Sequence, residues 1–166
     1  MYTDLHAHIL PGVDDGAKKI EDSIHMARVA AEHGTDVILA TPHRKDVTEN
    51  HSVTHIRDLT ASLNLKLEEL GIKLEVVLGM ENHLDLELPG ELAGGRALTM
   101  NGSRYALVEM PFYGHPNYLD DVLFQLQVQG LKPVLAHPER IEAVQRDPDL
   151  LARFVDREML TQVTAG

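Results

Sequence analysis

Five stretches of the sequence place imidazole or carboxylate groups directly behind short apolar runs: His6 and His8, His43, Glu81, Glu109 and His137. These nitrogen and oxygen donors suit first-row divalent cations, and no thiolate is among them. His6-Ala7-His8 has strand spacing. Side chains at i and i+2 leave the same face of an extended chain, about 6.6–6.8 Å apart along the backbone, so both imidazoles can reach one ion at about 2.0–2.1 Å each. Asp14-Asp15-Gly16 follows in a loop that contains Pro11 and Gly12. A carboxylate there can reach a second ion, although Asp-Gly also favours a plain turn. Glu81 comes after Val76-Val77-Leu78 and Gly79, and Glu109 after Ala106-Leu107-Val108. A charge placed behind a buried strand is costly unless paired, and a carboxylate has two oxygens with which to bridge cations about 3.5–4 Å apart. One such histidine would be unremarkable. Five donor-bearing segments in succession are hard to explain by packing, because converging imidazoles and carboxylates need cations to neutralise them.

In parallel α/β folds, functional groups gather at the carboxyl ends of strands, so the donors call for strands immediately before them. Short β-branched apolar runs predict strands over Tyr2–His8, Asp36–Thr41, Leu74–Gly79, Tyr105–Glu109 and Pro133–Ala136, and Thr161–Thr164 can begin another. Helical periodicity alternates with them. Ile20–His33 carries Ile20, Ile24, Ala27 and Ala31 on one face and stops at Gly34; Ser52–Leu70 carries Ile56, Leu59, Leu63 and Leu67 and stops at Gly71. Tyr118–Gln129 ends at Gly130, and Asp149–Arg157 follows Pro148. Between them, Leu84–Asn101 reads as irregular, with Asn101-Gly102 as a turn. Strand-helix alternation predicts an α/β fold with a mostly parallel sheet, open or closed into a barrel.

Composition removes several classes of chemistry. The 166 residues fit one domain, and 15 Lys+Arg against 26 Asp+Glu leave a net charge of −11 that repels a nucleic-acid backbone. With no cysteine, disulfides, thiolate zinc sites and cysteine nucleophiles are excluded, including the cysteinyl-phosphate route to phosphatase activity. The N-terminus lacks the basic and apolar regions of a secretory signal, and no uncharged stretch approaches the roughly 18 apolar residues of a membrane span. A cytoplasmic protein, or a soluble part of something larger, with no nucleic-acid partner and no membrane insertion is expected.

The segments Asp4-Leu5-His6-Ala7-His8-Ile9-Leu10-Pro11-Gly12-Val13-Asp14-Asp15-Gly16, Ala40-Thr41-Pro42-His43, Leu78-Gly79-Met80-Glu81, Leu107-Val108-Glu109-Met110-Pro111 and Ala136-His137-Pro138-Glu139-Arg140 resemble the polymerase and histidinol phosphatase (PHP) superfamily. Within it they are most similar to the manganese-dependent protein-tyrosine phosphatases of bacterial capsule and exopolysaccharide clusters. The resemblance implies a PHP-type distorted (β/α)7 barrel, TIM-barrel-like, here truncated after about the sixth strand. Residues 1–166 would form a single PHP-type metal-dependent phosphatase domain, C-terminally incomplete, because the family's final Asp-x-His strand has no counterpart. It also implies up to three ions, Mn2+ with Fe or Zn possible. His6, His8 and Glu81 would serve the first, Glu81, Glu109 and His137 the second, and Asp15 and His43 the third, while Arg140 would contact substrate phosphate. The implied substrate is phosphotyrosine on a tyrosine kinase of polysaccharide export. A histidinol-phosphatase-like activity on small phosphoesters and an inactive metal-binding fragment are the alternatives.

Other polar residues are given lesser roles. His51 and His55, at i and i+4, are expected on a solvated helix face; His33 belongs in a last helical turn, where an imidazolium gains from the macrodipole. His83 shares parity with Glu81, but the strand is expected to end before it. Arg44 and His115 are candidate phosphate or substrate contacts.

Overall fold

A computed structural model of the chain describes residues 2–114 and 116–164. The chain divides into two compact units, Met1–Met80 and Glu81–Gly166.

The first unit comprises β1 (Tyr2–Ala7), α1 (Ile20–Glu32), β2 (Thr35–Ala40), α2 (Arg44–Asn50), α3 (Val53–Glu69) and β3 (Glu75–Leu78). Its sheet is parallel in the order β1-β2-β3, with Ala7 opposite Ala40 and Ala40 opposite Leu78. Each strand therefore ends level with its neighbour, and the residues that follow emerge together. Between Asp4 and Ala7 the register with β2 shifts, a bulge of the kind that re-aims side chains beside functional sites. Helix α3 starts where the Ser52 Oγ accepts the His55 N–H at 3.1 Å. It buries Ile56, Thr60, Leu63 and Leu67, and α1 packs on α3 and β2. Asn64 of α3 closes the outer edge of β3: its amide donates to the Val76 carbonyl and accepts from the Val76 N–H, both at 2.8 Å. Backbone groups that an adjacent strand would satisfy are thus paired by one side chain.

The second unit contains β4 (Asn82–His83), α4 (Leu88–Ala93), β5 (Tyr105–Glu109), α5 (Leu119–Val128), β6 (Lys132–Ala136), α6 (Glu142–Arg146), α7 (Asp149–Asp156) and β7 (Leu160–Gln162). This sheet is also parallel, in the order β4-β5-β6-β7. Leu119, Val122, Leu123 and Leu126 of α5 are buried, with Ala106, Leu107, Val108 and Leu135 in the sheet and Ile141 and Phe154 beyond it.

The α/β class and the six expected strands are present, with ends shifted by one or two residues. Four elements were not expected. Helix α2 has a polar sequence that buries only Arg44 and Val47, too short for an apolar period to declare itself. The stretch 84–101 is not wholly irregular, since it contains the six-residue α4, whose Pro89 and Gly90 read as breakers; Pro is at home in a first helical turn. Helix α6 is five residues long. Strand pairing also resumes after β3 at Asn82–His83, so the strand expected near Thr161–Thr164 is the seventh, at Leu160–Gln162. Asn101 and Gly102 do turn, both at positive φ (49° and 68°).

Candidate metal centre

The first unit brings His6, His8, Asp14, Asp15 and His43 together. His6 Nε2 and His8 Nε2 lie 3.3 Å apart, a separation that two nitrogens sharing one ion at about 2.0–2.1 Å can adopt. The loop after β1 folds back on His8: the Ala17 N–H donates to the His8 carbonyl at 3.0 Å, and a Cβ on Gly16 would stand 2.0 Å from that oxygen. Only glycine fits there. The tight return delivers Asp14, whose side chain is 1% exposed, to His8 Nδ1 at 2.7 Å. Because the carboxylate accepts, Nδ1 carries the proton, which leaves Nε2, on the side of His6, as the nitrogen that can face an ion.

Asp14 also accepts the N–H of Gly16 at 3.0 Å and that of His43 at 3.1 Å, so one carboxylate orients one histidine and anchors the backbone of another. Burial pushes its pKa up. The hydrogen bonds from His8, Gly16 and His43 and the charge of His8 outweigh that and hold it below the ordinary aspartate value. Asp15 is the opposite case, 79% exposed, with Oδ1 3.5 Å from His43 Nε2 and 3.8 Å from His8 Nδ1. The donor atoms of His8, Asp15 and His43 all lie within 4.8 Å of one another, so the donors present fit a cation.

In the second unit two of the three donors are buried. Glu81 Oε1 lies 2.7 Å from His137 Nε2, and Glu109 Oε1 approaches the same nitrogen at 3.4 Å. The side chains of Glu81 and His137 are 1% and 4% exposed. Two carboxylates converging on one imidazole nitrogen in an apolar surround are compensated only by a proton or a cation. This donor set too fits a metal ion.

Local structure holds the arrangement. Buried Asn82 donates to the carbonyls of Leu98 at 3.1 Å and Leu107 at 2.9 Å, pinning the residue next to Glu81. His137 takes a left-handed conformation (φ 32°, ψ 56°) that costs about 1–2 kcal/mol in a non-glycine residue. Its N–H on the Gln162 carbonyl at 2.8 Å and the turn through Pro138–Arg140 hold it there. His83 lies opposite Glu109 in the β4–β5 register, with Nδ1 3.6 Å from Glu109 Oε2. The strand expected to end before His83 does so, at Leu78, and a separate short strand, β4, places His83 beside Glu109.

Arg140 is exposed at the end of the turn after His137, its Nε 4.0 Å from Glu139 Oε1. Arg44, by contrast, is buried at the first position of α2. His51 and His55 stack with centroids 5.3 Å apart at the α2–α3 junction, and His33 Nδ1 donates to the Val29 carbonyl at 2.8 Å. His115 lies outside the described residues. Asp14 was legible only as half of an Asp-Asp pair whose members burial alone tells apart. Asn82 gave no signal in sequence, and Phe112 was legible only as the start of the loop 112–118 that could read substrate shape, not as the ring that packs on His137.

Parallel strands ending in imidazole and carboxylate donors, one cluster in each unit, define a thiol-free α/β protein whose donors could hold metal ions. The chain belongs to the capsular polysaccharide synthesis family CpsB/CapC, whose profile matches residues 2–166. It is 37% identical over 163 residues to the tyrosine-protein phosphatase YwqE of Bacillus subtilis, covering 98% of this chain and 64% of that relative. It is 26% identical over 162 residues to the tyrosine-protein phosphatase CpsB of Streptococcus pneumoniae, covering 98% and 67%. A solved structure from work on YwqE and CpsB, described as unique metal-dependent tyrosine phosphatases, matches with a TM-score of 0.93 and 36% identity, over 98% of this chain and 66% of that one. The chain thus spans a little under two thirds of the length of YwqE. Among the described residues, no helix is long and apolar enough to cross a membrane.

Proposed function

We propose that the chain hydrolyses phosphate monoesters, phosphotyrosine on protein in particular, with divalent cations held by His6, His8, Asp15, His43, Glu81, Glu109 and His137. The reading rests above all on two clusters of nitrogen and oxygen donors in a chain with no cysteine, which leaves no thiol route to the chemistry. Membership of a family with relatives named tyrosine phosphatases supports it. Cations bound there would neutralise phosphate oxygens and supply hydroxide at neutral pH, by lowering the pKa of water from 15.7 towards about 7. Asp14 fixes the His8 tautomer and the His43 backbone, so the donors need little rearrangement on binding. Arg140, exposed beside the His137 turn, pairs its guanidinium with phosphate oxygens as charge spreads in the transition state. Attack of such a hydroxide on phosphorus would break the P–O bond to the ring and release phenolate, which with a phenol pKa of about 10 needs less acid assistance than an alkoxide.

Manganese is the proposed ion, a tyrosine kinase of polysaccharide export the proposed substrate, and the cytoplasm the proposed location. The test is hydrolysis of a phosphotyrosine peptide alongside histidinol phosphate, with manganese, with chelator and after iodoacetamide. Manganese-dependent turnover of the peptide, abolished by chelator and untouched by alkylation, is expected. Turnover of histidinol phosphate alone, or activity indifferent to chelator, overturns the reading.

A further inference from the structure

Phe112 lies three residues beyond Glu109 in the loop that follows β5. Its ring stacks on the His137 imidazole, with centroids 5.6 Å apart and planes at 27°, yet the residue is 41% exposed. The loop is tethered rather than loose: the Phe112 carbonyl accepts the Glu142 N–H at 2.9 Å, and the Gly114 N–H reaches the Glu142 carboxylate at 3.5 Å. A fixed apolar surface therefore begins on one donor of the Glu81–Glu109–His137 cluster and ends in solvent. Such a ring offers nothing to a dianionic phosphate. It can serve only what the phosphate is attached to, or else merely cover His137.

We propose that Phe112 is a specificity-determining residue: its ring packs against the aromatic ring of an aryl phosphate whose phosphate sits at the Glu81–Glu109–His137 cluster, so that aryl esters bind in preference to alkyl esters. The inference rests on the phosphate-monoester reading above. Paired rings with centroids 4.5–7 Å apart gain, beyond the area they bury, roughly three- to tenfold in affinity, which an alkyl group does not receive.

Calorimetric titration of the manganese-loaded protein with phenylphosphonate and with methylphosphonate tests it, in the wild type, Phe112→Leu and Phe112→Tyr. Leucine keeps an apolar cover on His137 but removes the ring. The wild type should prefer phenylphosphonate, and Phe112→Leu should weaken that probe roughly three- to tenfold with manganese content and methylphosphonate affinity unchanged. Phe112→Tyr should restore the preference. Equal weakening of both probes, no change in either, or loss of manganese in Phe112→Leu would overturn the proposal and leave Phe112 as a cover for His137. A wild type that binds both probes equally overturns it too, and one that binds neither refutes the phosphate reading itself.

Discussion

The two donor clusters use the same side-chain chemistry in opposite surroundings. In the first unit Asp15 is 79% exposed and His8 and His43 are partly in solvent, while the buried group, Asp14, is saturated with hydrogen bonds from His8, Gly16 and His43. In the second unit Glu81 and His137 are buried and Glu109 is partly so, the three held against one another. A solvated donor costs little whether or not a cation is present, whereas a buried carboxylate depends on the groups that neutralise it. The surroundings of the first cluster therefore orient its donors, and those of the second tie its donors to the stability of the fold.

The sharpest break of that contrast is His137→Ala. Removing the partner that lies 2.7 Å from buried Glu81 should destabilise the cation-free protein by about 3–5 kcal/mol in urea unfolding. Asp15→Ala, on the exposed cluster, should change stability by less than about 0.5 kcal/mol. Equal effects would erase the distinction between the units.

Next in size is Asp14→Asn, which leaves every proposed ligand in place but offers an amide where a carboxylate accepted from His8, Gly16 and His43. Cation affinity in the first unit should fall about 10–100-fold by competition titration, with the second unit's affinity unchanged. Arg140→Ala should slow hydrolysis at least about tenfold, worth about 1.4 kcal/mol of barrier, while cation content measured by elemental analysis stays at the wild-type level. Loss of cation and activity in equal proportion would make Arg140 structural. Smallest is His51→Ala at the α2–α3 junction, for which cation content and turnover should both match the wild type.

The strands and long helices were legible because their apolar periods run for whole elements and end at Gly34, Gly71 and Gly130, each with positive φ in the structure. Candidate donors were legible where type and spacing bring them close: the His6 and His8 nitrogens do converge, and Glu109 and Glu81 do flank His137. Roles that depend on burial were not. Asp14 and Asp15 are neighbours of one type, and only the close return of the loop over His8, permitted by Gly16, separates the buried clamp from the exposed donor. Asn82 acts through two carbonyls on distant segments, Leu98 and Leu107, which no local pattern encodes. Short elements such as α2, α4 and α6 escaped because five to seven residues span too few turns for periodicity to emerge.

The central claim is that both clusters are cation sites, and elemental analysis of the wild type, His8→Ala and His137→Ala after incubation with manganese and removal of excess ion tests it most directly. Bound manganese in the wild type, with a partial loss in each variant and His51→Ala unchanged, is the result expected. A wild type that takes up no manganese, iron or zinc at micromolar concentration, or variants that retain the full wild-type content, would contradict it.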